Sequence, residues 1–175
     1  MHPDRGLLRH FLAAIAYRTA KALRGAPPEY EAFAAGMQVR TPRQLVRHMS
    51  GVINYAIGLV SEPRAILTDC NTYTGEVERL FALLRELSGE LRQRAELEER
   101  TAERLLQGPL ADAMAHAGQL ALLRRLSGNP IPPENFFDAM IDAERLELEQ
   151  ADARSPDAEW PEAPENWSRG PANER

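Results

Sequence analysis

Two histidines and one aspartate have the residue types and spacing best suited to chemistry in this sequence. Asp112 precedes His116 by four residues, so on a helix the two side chains lie on nearly one face, about 6 Å apart along the axis. His48 shares the predicted inward face of another helix with Leu45 and Val52. A carboxylate and two imidazoles from facing helices can hold a divalent metal and leave one coordination position open.

Each of these residues also has a simpler interpretation. His48 by itself fits a core histidine that is satisfied by one hydrogen bond, and the D-x-x-x-H spacing is common by chance. If Pro109 begins a helix, Asp112 lies in the first turn, where the helix dipole favours a negative charge. The spacing therefore leaves a metal site and an ordinary helical role both open.

The elements that must position these residues are predicted to be helices. Apolar residues recur every three or four positions, and no stretch alternates at period two, so we expect an all-α fold without a sheet. The first helix should end at Gly25. Thr41 and Pro42 predict the N-cap and first residue of a second helix, which should stop before Pro63.

Two further helices and a short fifth one are predicted downstream. The third should run from residue 73 to about 107, and Gly108-Pro109 should end it and open the fourth. Ser127 to Pro130 should terminate the fourth helix, and a last short helix is expected at about 134–151. The fairly short connections favour a four-helix bundle around one core.

The chain divides into a bundle domain, residues 1–151, and a proline-rich acidic tail, residues 152–175. The tail holds both tryptophans, Trp160 and Trp167. Burial of one indole stabilises by about 2–3 kcal/mol, so we expect an extended strap with at least one indole buried against the bundle or a second subunit. A solvated tail is the alternative.

Composition excludes several classes of function. The 21 basic and 26 acidic residues give a net charge of −5 with no polybasic stretch, so we expect no nucleic-acid partner. The single cysteine excludes an intramolecular disulfide and a cysteine-based zinc cluster. The longest apolar stretch, residues 49–60, is shorter than the roughly 20 residues of a membrane span. We therefore expect a cytoplasmic protein with no membrane partner.

Two segments resemble a known family. Residues 112–128, DAMAHAGQLALLRRLSG, are similar to the fourth-helix signature of the DinB/YfiT-like superfamily of metalloenzymes, roughly H-x-x-x-H-x-G-Q followed by an arginine-containing apolar turn and glycine. Residues 47–55, RHMSGVINY, resemble its second-helix motif, a histidine followed seven residues later by an aromatic residue. The resemblance covers about residues 3–128.

The resemblance implies a four-helix bundle with a crossover connection and a divalent metal, often zinc or nickel, held by three histidines. The order of the motifs assigns the ligand positions to His48, Asp112 and His116. Asp112 stands where the family usually has histidine. Aspartate also binds zinc, manganese or iron, and two histidines with one carboxylate favour harder metals. The same departure is compatible with loss of the metal.

The family implies a metal-dependent enzyme that acts on a small molecule, such as an S-transferase using a low-molecular-weight thiol like bacillithiol or mycothiol. Gln119 and Tyr55 are then candidate catalytic residues; the alternatives are a polar residue at the core edge for Gln119 and plain core for Tyr55. Arg124 and Arg125 either bind a carboxylate of an acidic thiol or lie on the surface near a helix C-terminus.

A non-catalytic function is the second hypothesis. The chain would then be a dimeric stress or interaction protein with a structural or lost metal site, and a homodimer is expected on either hypothesis. An open coordination position facing a cavity favours the enzyme. A closed four-ligand site, or an Asp112 side chain turned to solvent, favours the non-catalytic bundle.

Overall fold

The computed structural model describes residues 3–93 and 99–153, and every regular element in these ranges is helical. The all-α prediction is confirmed for this part of the chain. None of the helices found there combines the length and the apolarity that crossing a membrane requires. The helices are α1 (Pro3–Leu23), α2 (Pro42–Val60), α3 (Tyr73–Gln93), α4 (Glu99–Leu105) and α5 (Ala111–Leu126).

The predicted boundaries of α1 and α2 are confirmed. α1 ends at Leu23, and Gly25 follows with a φ of 63°, a left-handed conformation that glycine adopts without a steric penalty. Thr41 caps α2: its hydroxyl accepts from the Gln44 amide at 3.3 Å, and its own amide donates to the Gln44 side chain at 2.9 Å. Pro42 is the first residue of the helix.

Four helical rods pack around one core: α1, α2, α3 and the continuous rod formed by α4 and α5. α2 packs most extensively on α3, α1 packs on α3 and α5, and α2 also contacts α5. α1 and α2 are therefore consecutive in the chain but occupy opposite corners. A 3₁₀ turn, Pro28–Ala32, lies between them and buries Tyr30. The largest fully buried side chains include Leu12, Ile15, Leu45, Met49, Ile53, Ile57, Leu80, Leu84, Leu87 and Leu91.

The connection between α2 and α3 returns along α2. The Asn54 amide donates to the carbonyl of Ala65 at 3.0 Å, near the end of α2. Four residues later, Asp69 accepts from Arg47 at 2.8 Å and from Arg43 at 3.1 Å, near the start of α2. The 61–72 loop thus carries the chain back to where α2 began, and α3 runs in the same direction as α2.

The predicted helix break at Gly108-Pro109 is wrong. The chain stays helical from α4 into α5 through a π-helical turn, Leu106–Leu110. Pro109 lacks the N–H that a regular α-helix would use, and the wider turn absorbs this loss. The Ala111 amide instead donates to the carbonyls of Leu106 and Gly108. Residues 94–98, within the predicted third helix, lie outside the described residues.

The predicted fifth helix at 134–151 is also wrong. Residues 131–151, here called the strap, have no regular helix. Prolines 132 and 133 restrict its start, and two side chains satisfy the backbone locally. Asn135 accepts from the Phe137 amide at 3.1 Å, and Asp142 accepts from the Glu144 amide at 2.9 Å. Such Asx turns compete with helical hydrogen bonds.

Contacts with α1 hold the strap in place. Glu134 is buried and accepts from the Tyr17 hydroxyl at 2.7 Å and from the Lys21 ammonium at 2.5 Å. Further along, the Glu144 carboxylate bonds Arg9, and the Leu146 side chain is buried. These tertiary contacts outweigh the apolar spacing that favoured a helix.

The C-terminal tail, residues 152–175, which was predicted to be extended and packed on the bundle, lies almost wholly outside the described residues. Both Trp160 and Trp167 belong to the undescribed range 154–175. The burial of an indole therefore stays a prediction. The irregular segment that the structure does show begins some twenty residues earlier, at Ile131, and includes the range 134–151 where a helix was expected.

Arg124 is neither a surface residue nor a free anion-binding group. Its side chain is buried and donates to the carbonyl oxygens of Ala22 at 2.9 Å, Arg24 at 3.1 Å and Gly25 at 3.3 Å. The last carbonyls of a helix have no partner within it, so this guanidinium caps α1. Both sequence interpretations of Arg124 are corrected by this contact.

Candidate metal centre

His48, Asp112 and His116 converge between α2 and α5. One ligand atom from each residue lies within 4.8 Å of the other two. His48 Nε2 is 3.6 Å from Asp112 Oδ2, and His116 Nε2 is 3.3 Å from Asp112 Oδ1. The imidazole rings meet edge to face with centroids 4.7 Å apart. The structure therefore brings together the three residues that the sequence singled out.

The three side chains are arranged so that they could hold a metal ion. Ligand bonds of 2.0–2.2 Å place neighbouring ligand atoms about 3.4 Å apart at a tetrahedral centre. The two histidine–aspartate distances, 3.6 Å and 3.3 Å, are near this value but end on different oxygens of Asp112; with one ligand atom from each residue, the three atoms lie within 4.8 Å of one another. Binding would therefore draw the side chains slightly closer together. Two nitrogen donors and one carboxylate oxygen are a set that zinc accepts, so the donor types fit a divalent metal.

Gln119 orients one of the imidazoles. The carbonyl oxygen of its side chain lies 2.9 Å from His116 Nδ1, which then carries the proton and donates it. This tautomer leaves a lone pair on His116 Nε2, the nitrogen that faces Asp112. Hydrogen bonds of this kind fix ring orientation in metal centres. Gln119 is thus a positioning residue and does not border the cleft that reaches the site.

The centre is buried on one side and open on the other. The side chains of His116, His48 and Asp112 are 8%, 36% and 47% exposed, respectively. The Asp112 carboxylate faces both imidazoles while remaining half-exposed. A metal held here would have three protein ligands from the described residues and access to solvent.

The electrostatics keep His48 available as a ligand. Partial burial lowers the pKa of His48, and the positive charge of Arg40 and the neighbouring His116 lower it further. Asp112 acts in the opposite direction and does not cancel these effects. A lowered pKa favours the neutral imidazole, which is the form that coordinates metals.

A cleft of about 1050 Å³ reaches the centre from outside. His48 and Asp112 form part of its wall, and residues 107–109 of the π-helical turn, Leu106–Leu110, line it as well. π-Helical turns occur often at functional sites. The remaining lining residues include Arg40, Gln44, Arg47, Gly51, Val52, Tyr55, Ile66 and Leu67.

Tyr55 belongs to this cleft and not to the core. Its side chain is 62% exposed, so the core interpretation is wrong. Leu59, which continues the predicted inward face of Leu45 and Val52 at seven-residue spacing, is exposed as well. The buried face of α2 is rotated toward Val46, Ile53 and Ile57 relative to the predicted stripe. Tyr55 and Val52 are left to border the cleft.

Sequence reasoning missed two parts of the cleft. Arg47 follows Gln44 by three residues and precedes Gly51 by four, a spacing that places the three along one side of α2. That signal was available in the sequence, whereas Arg40 lies before the Thr41 cap and outside the helical periodicity. Ile66 and Leu67 come from the 61–72 loop, and no local pattern shows that this loop returns along α2.

No family model matches this sequence, and the searches of curated proteins and of solved structures gave no match either. The case for a metal centre consequently depends on the geometry of His48, Asp112 and His116, with its support from Gln119.

Proposed function

We propose that this protein binds a divalent metal ion at His48, Asp112 and His116 and uses it as an enzyme acting on a small molecule. One observation carries the proposal: three ligand atoms lie within 4.8 Å of one another, and two of the three residues, His48 and Asp112, line an open cleft. An open position beside three protein ligands is the arrangement of catalytic zinc sites, whereas structural sites are closed by a fourth protein ligand.

The resemblance of residues 47–55 and 112–128 to the DinB/YfiT-like superfamily supports a finer proposal, a thiol-dependent S-transferase that uses zinc or nickel. A divalent metal supplies, when bound, stabilisation of a thiolate at neutral pH. The chain's own residues would hold the metal and orient His116 through Gln119. Tyr55 would border the substrate and exclude water from one side of it.

Metal binding is tested first. The metal content of untagged protein is measured by plasma mass spectrometry, and zinc affinity by calorimetry on the metal-free protein. We expect about one metal per chain and a loss of zinc binding in His48→Ala. His10→Ala is the matched control, because His10 lies on α1 outside the centre. Equal zinc affinity in wild type and His48→Ala would overturn the proposal.

Thiol transfer is tested separately on the zinc-loaded protein. Cysteine and monochlorobimane form a fluorescent thioether as the sulfur–carbon bond forms, chloride leaves and the thiol proton is lost. We expect wild type to accelerate this reaction and His48→Ala to lose the acceleration. A zinc-binding protein that leaves the rate unchanged would retain the metal site and lose the transferase assignment.

The non-catalytic bundle is the competing function. The partial exposure of Asp112 favours it, because a carboxylate between two imidazoles needs no metal to be stable at the surface. That hypothesis expects protein purified without bound metal and zinc affinity in the range of adventitious surface sites. The same metal analysis and zinc titration therefore decide between the two functions.

A further inference from the structure

The cleft beside the metal centre has two chemically different ends. Arg40 precedes the N-cap of α2 and Arg47 lies in the second turn of the helix, whereas Val52 and Tyr55 lie in its second half. The seven residues from His48, which lines the cleft with both arginines, to Tyr55 span about 10 Å along a helix. His48 lies between the two groups, so the centre faces the cationic end on one side and the apolar end on the other.

The cationic end has more positive than negative charge. Arg43 and Arg47 share one carboxylate, Asp69, at 3.1 Å and 2.8 Å. Arg40 is exposed and forms no ion pair with any residue that the structure describes. It lines the cleft together with His48. An unpaired guanidinium at the edge of a cleft is a binding group for an anion.

The apolar end is formed by apolar and aromatic side chains that are exposed to solvent. Ile66 is 96% exposed and Tyr55 is 62% exposed, and both border the cleft beside Val52 and Leu67. The 61–72 loop is held against α2 through Asn54 and Asp69, so its apolar residues keep this position. A ligand with an apolar body would cover this surface.

Gly51 keeps the middle of the cleft open. It lies inside α2, where glycine costs about 1 kcal/mol relative to alanine. A Cβ built at this position meets no atom within 4 Å, and its φ is not in the left-handed region, so neither packing nor backbone conformation requires glycine. The missing side chain leaves room for a ligand directly next to the His48 turn.

We propose that the substrate of this cleft is a small carboxylate with an apolar body, its charged group bound by Arg40 and its body lying over Gly51 against Tyr55 and Ile66. The proposal rests on the proposed function for the identity of the cleft as a substrate site. It adds the chemical class of the substrate and the two residues that select it.

Calorimetry with three probes tests this proposal on the full chain, with zinc and without it. The probes are 4-phenylbutyrate, its uncharged amide, and acetate, which carries the charge without the apolar body. The variants are Arg40→Gln and Gly51→Leu, and Arg85→Gln is the control because it removes an exposed arginine of α3 outside the cleft. The zinc affinity of each variant is measured separately.

We expect wild type to bind 4-phenylbutyrate at least about tenfold more tightly than the amide, the factor expected for a hydrogen bond to a charged group. Acetate should bind more weakly still. Arg40→Gln should abolish the preference for the carboxylate over the amide, while Arg85→Gln retains it. Gly51→Leu should weaken both phenyl compounds, and circular dichroism should show unchanged helicity.

Equal affinity for the carboxylate and the amide in wild type would overturn the proposal, as would a preference that persists in Arg40→Gln. The metal site is judged independently at a pH above the ordinary histidine range, where His48 is neutral with or without Arg40, so that Arg40→Gln should still bind zinc. If zinc fails to bind wild type, the proposed function fails, and the comparison of the three probes on metal-free protein still decides whether the cleft selects an anion.

Discussion

Two carboxylates of this molecule, Glu134 and Asp112, differ in their burial and in the charges of their partners. The Glu134 side chain is fully buried between the strap and α1, where Tyr17 and Lys21 donate to its two oxygens. The Asp112 side chain is half-exposed at the cleft and faces two imidazoles, neither of which needs to carry a charge. The protein supplies the partner cation for Glu134, whereas Asp112 and its imidazoles leave room for an external one.

This difference in burial predicts that Glu134 contributes to folding stability and Asp112 to ligand binding. A buried carboxylate costs several kcal/mol to desolvate and is tolerated only when donors surround it, so Glu134 contributes to the fold by joining the strap to α1. A half-exposed carboxylate next to two nitrogen donors remains solvated and gains little from the fold. We therefore expect substitutions at the two positions to affect different measurements.

Asp112→Ala should have the largest effect and should change binding alone. Loss of one of three ligands is expected to weaken zinc affinity by at least about 100-fold. Binding free energies of structural zinc are about 10–16 kcal/mol and come from only a few ligands, so each ligand accounts for several kcal/mol. The free energy of unfolding of the metal-free protein should change by no more than about 0.5 kcal/mol, as is usual for surface substitutions. Zinc calorimetry and urea unfolding measure the two quantities, and a large loss of stability would mean that Asp112 belongs to the fold.

Glu134→Gln should show the reverse pattern. The amide keeps one acceptor but leaves the Lys21 ammonium, which is 11% exposed, without its anion. We expect a loss of about 2 kcal/mol in urea unfolding and no change in zinc affinity. Glu144→Gln is the control at an exposed ion pair of the same strap and should cost less than about 0.5 kcal/mol. Equal effects of the two substitutions would contradict the buried role of Glu134.

Gly51→Ala should stabilise the protein, because the fold does not require a glycine at this position of the cleft. The methyl group meets no neighbouring atom, so the gain is the difference in helix propensity, about 1 kcal/mol. Gly89→Ala in α3 is the matched control, because its added Cβ also meets nothing and Gly89 does not border the cleft. Urea unfolding of both variants should give similar gains; a loss at Gly51 alone would show that the fold requires this glycine.

The smallest expected effect concerns the pKa of His48, measured by NMR titration of the metal-free protein. Burial is the main cause of its lowered pKa and Arg40 the second, so Arg40→Gln should raise the pKa only part of the way to the ordinary histidine value. The unfolded chain binds this proton more tightly than the folded protein does. Stability should therefore decrease as the pH falls below the ordinary histidine range. A pKa unchanged by the substitution would exclude Arg40 as a cause.

The three candidate ligands could be predicted from the sequence because they lie inside regular helices. The four-residue spacing that brings Asp112 and His116 together does not depend on how α5 packs. His48 lies on a side of α2 that faces a neighbouring helix. The Thr41 cap was predictable for the same reason, since its partner Gln44 is three residues away. Local periodicity and local hydrogen bonds contain this information.

The remaining features depend on contacts between distant parts of the chain. The strap has helical apolar spacing, yet Tyr17 and Lys21 of α1 hold Glu134 in an irregular segment. The 61–72 loop joins the cleft only because Asp69 returns to the start of α2. The π-helical turn keeps the chain helical through Pro109, which a search for helix breakers does not detect.

The cap that Arg124 places on α1 has a consequence for biosynthesis. Its guanidinium bonds the carbonyl of Ala22, 102 residues earlier in the chain. At the usual 5–20 residues per second, a ribosome needs about 5–20 s to reach Arg124 after completing α1. Throughout that interval, the carbonyl of Ala22 lacks this buried partner, so the final turn of α1 should fray more readily. The cap of α1 is thus completed only after α5 has been synthesised.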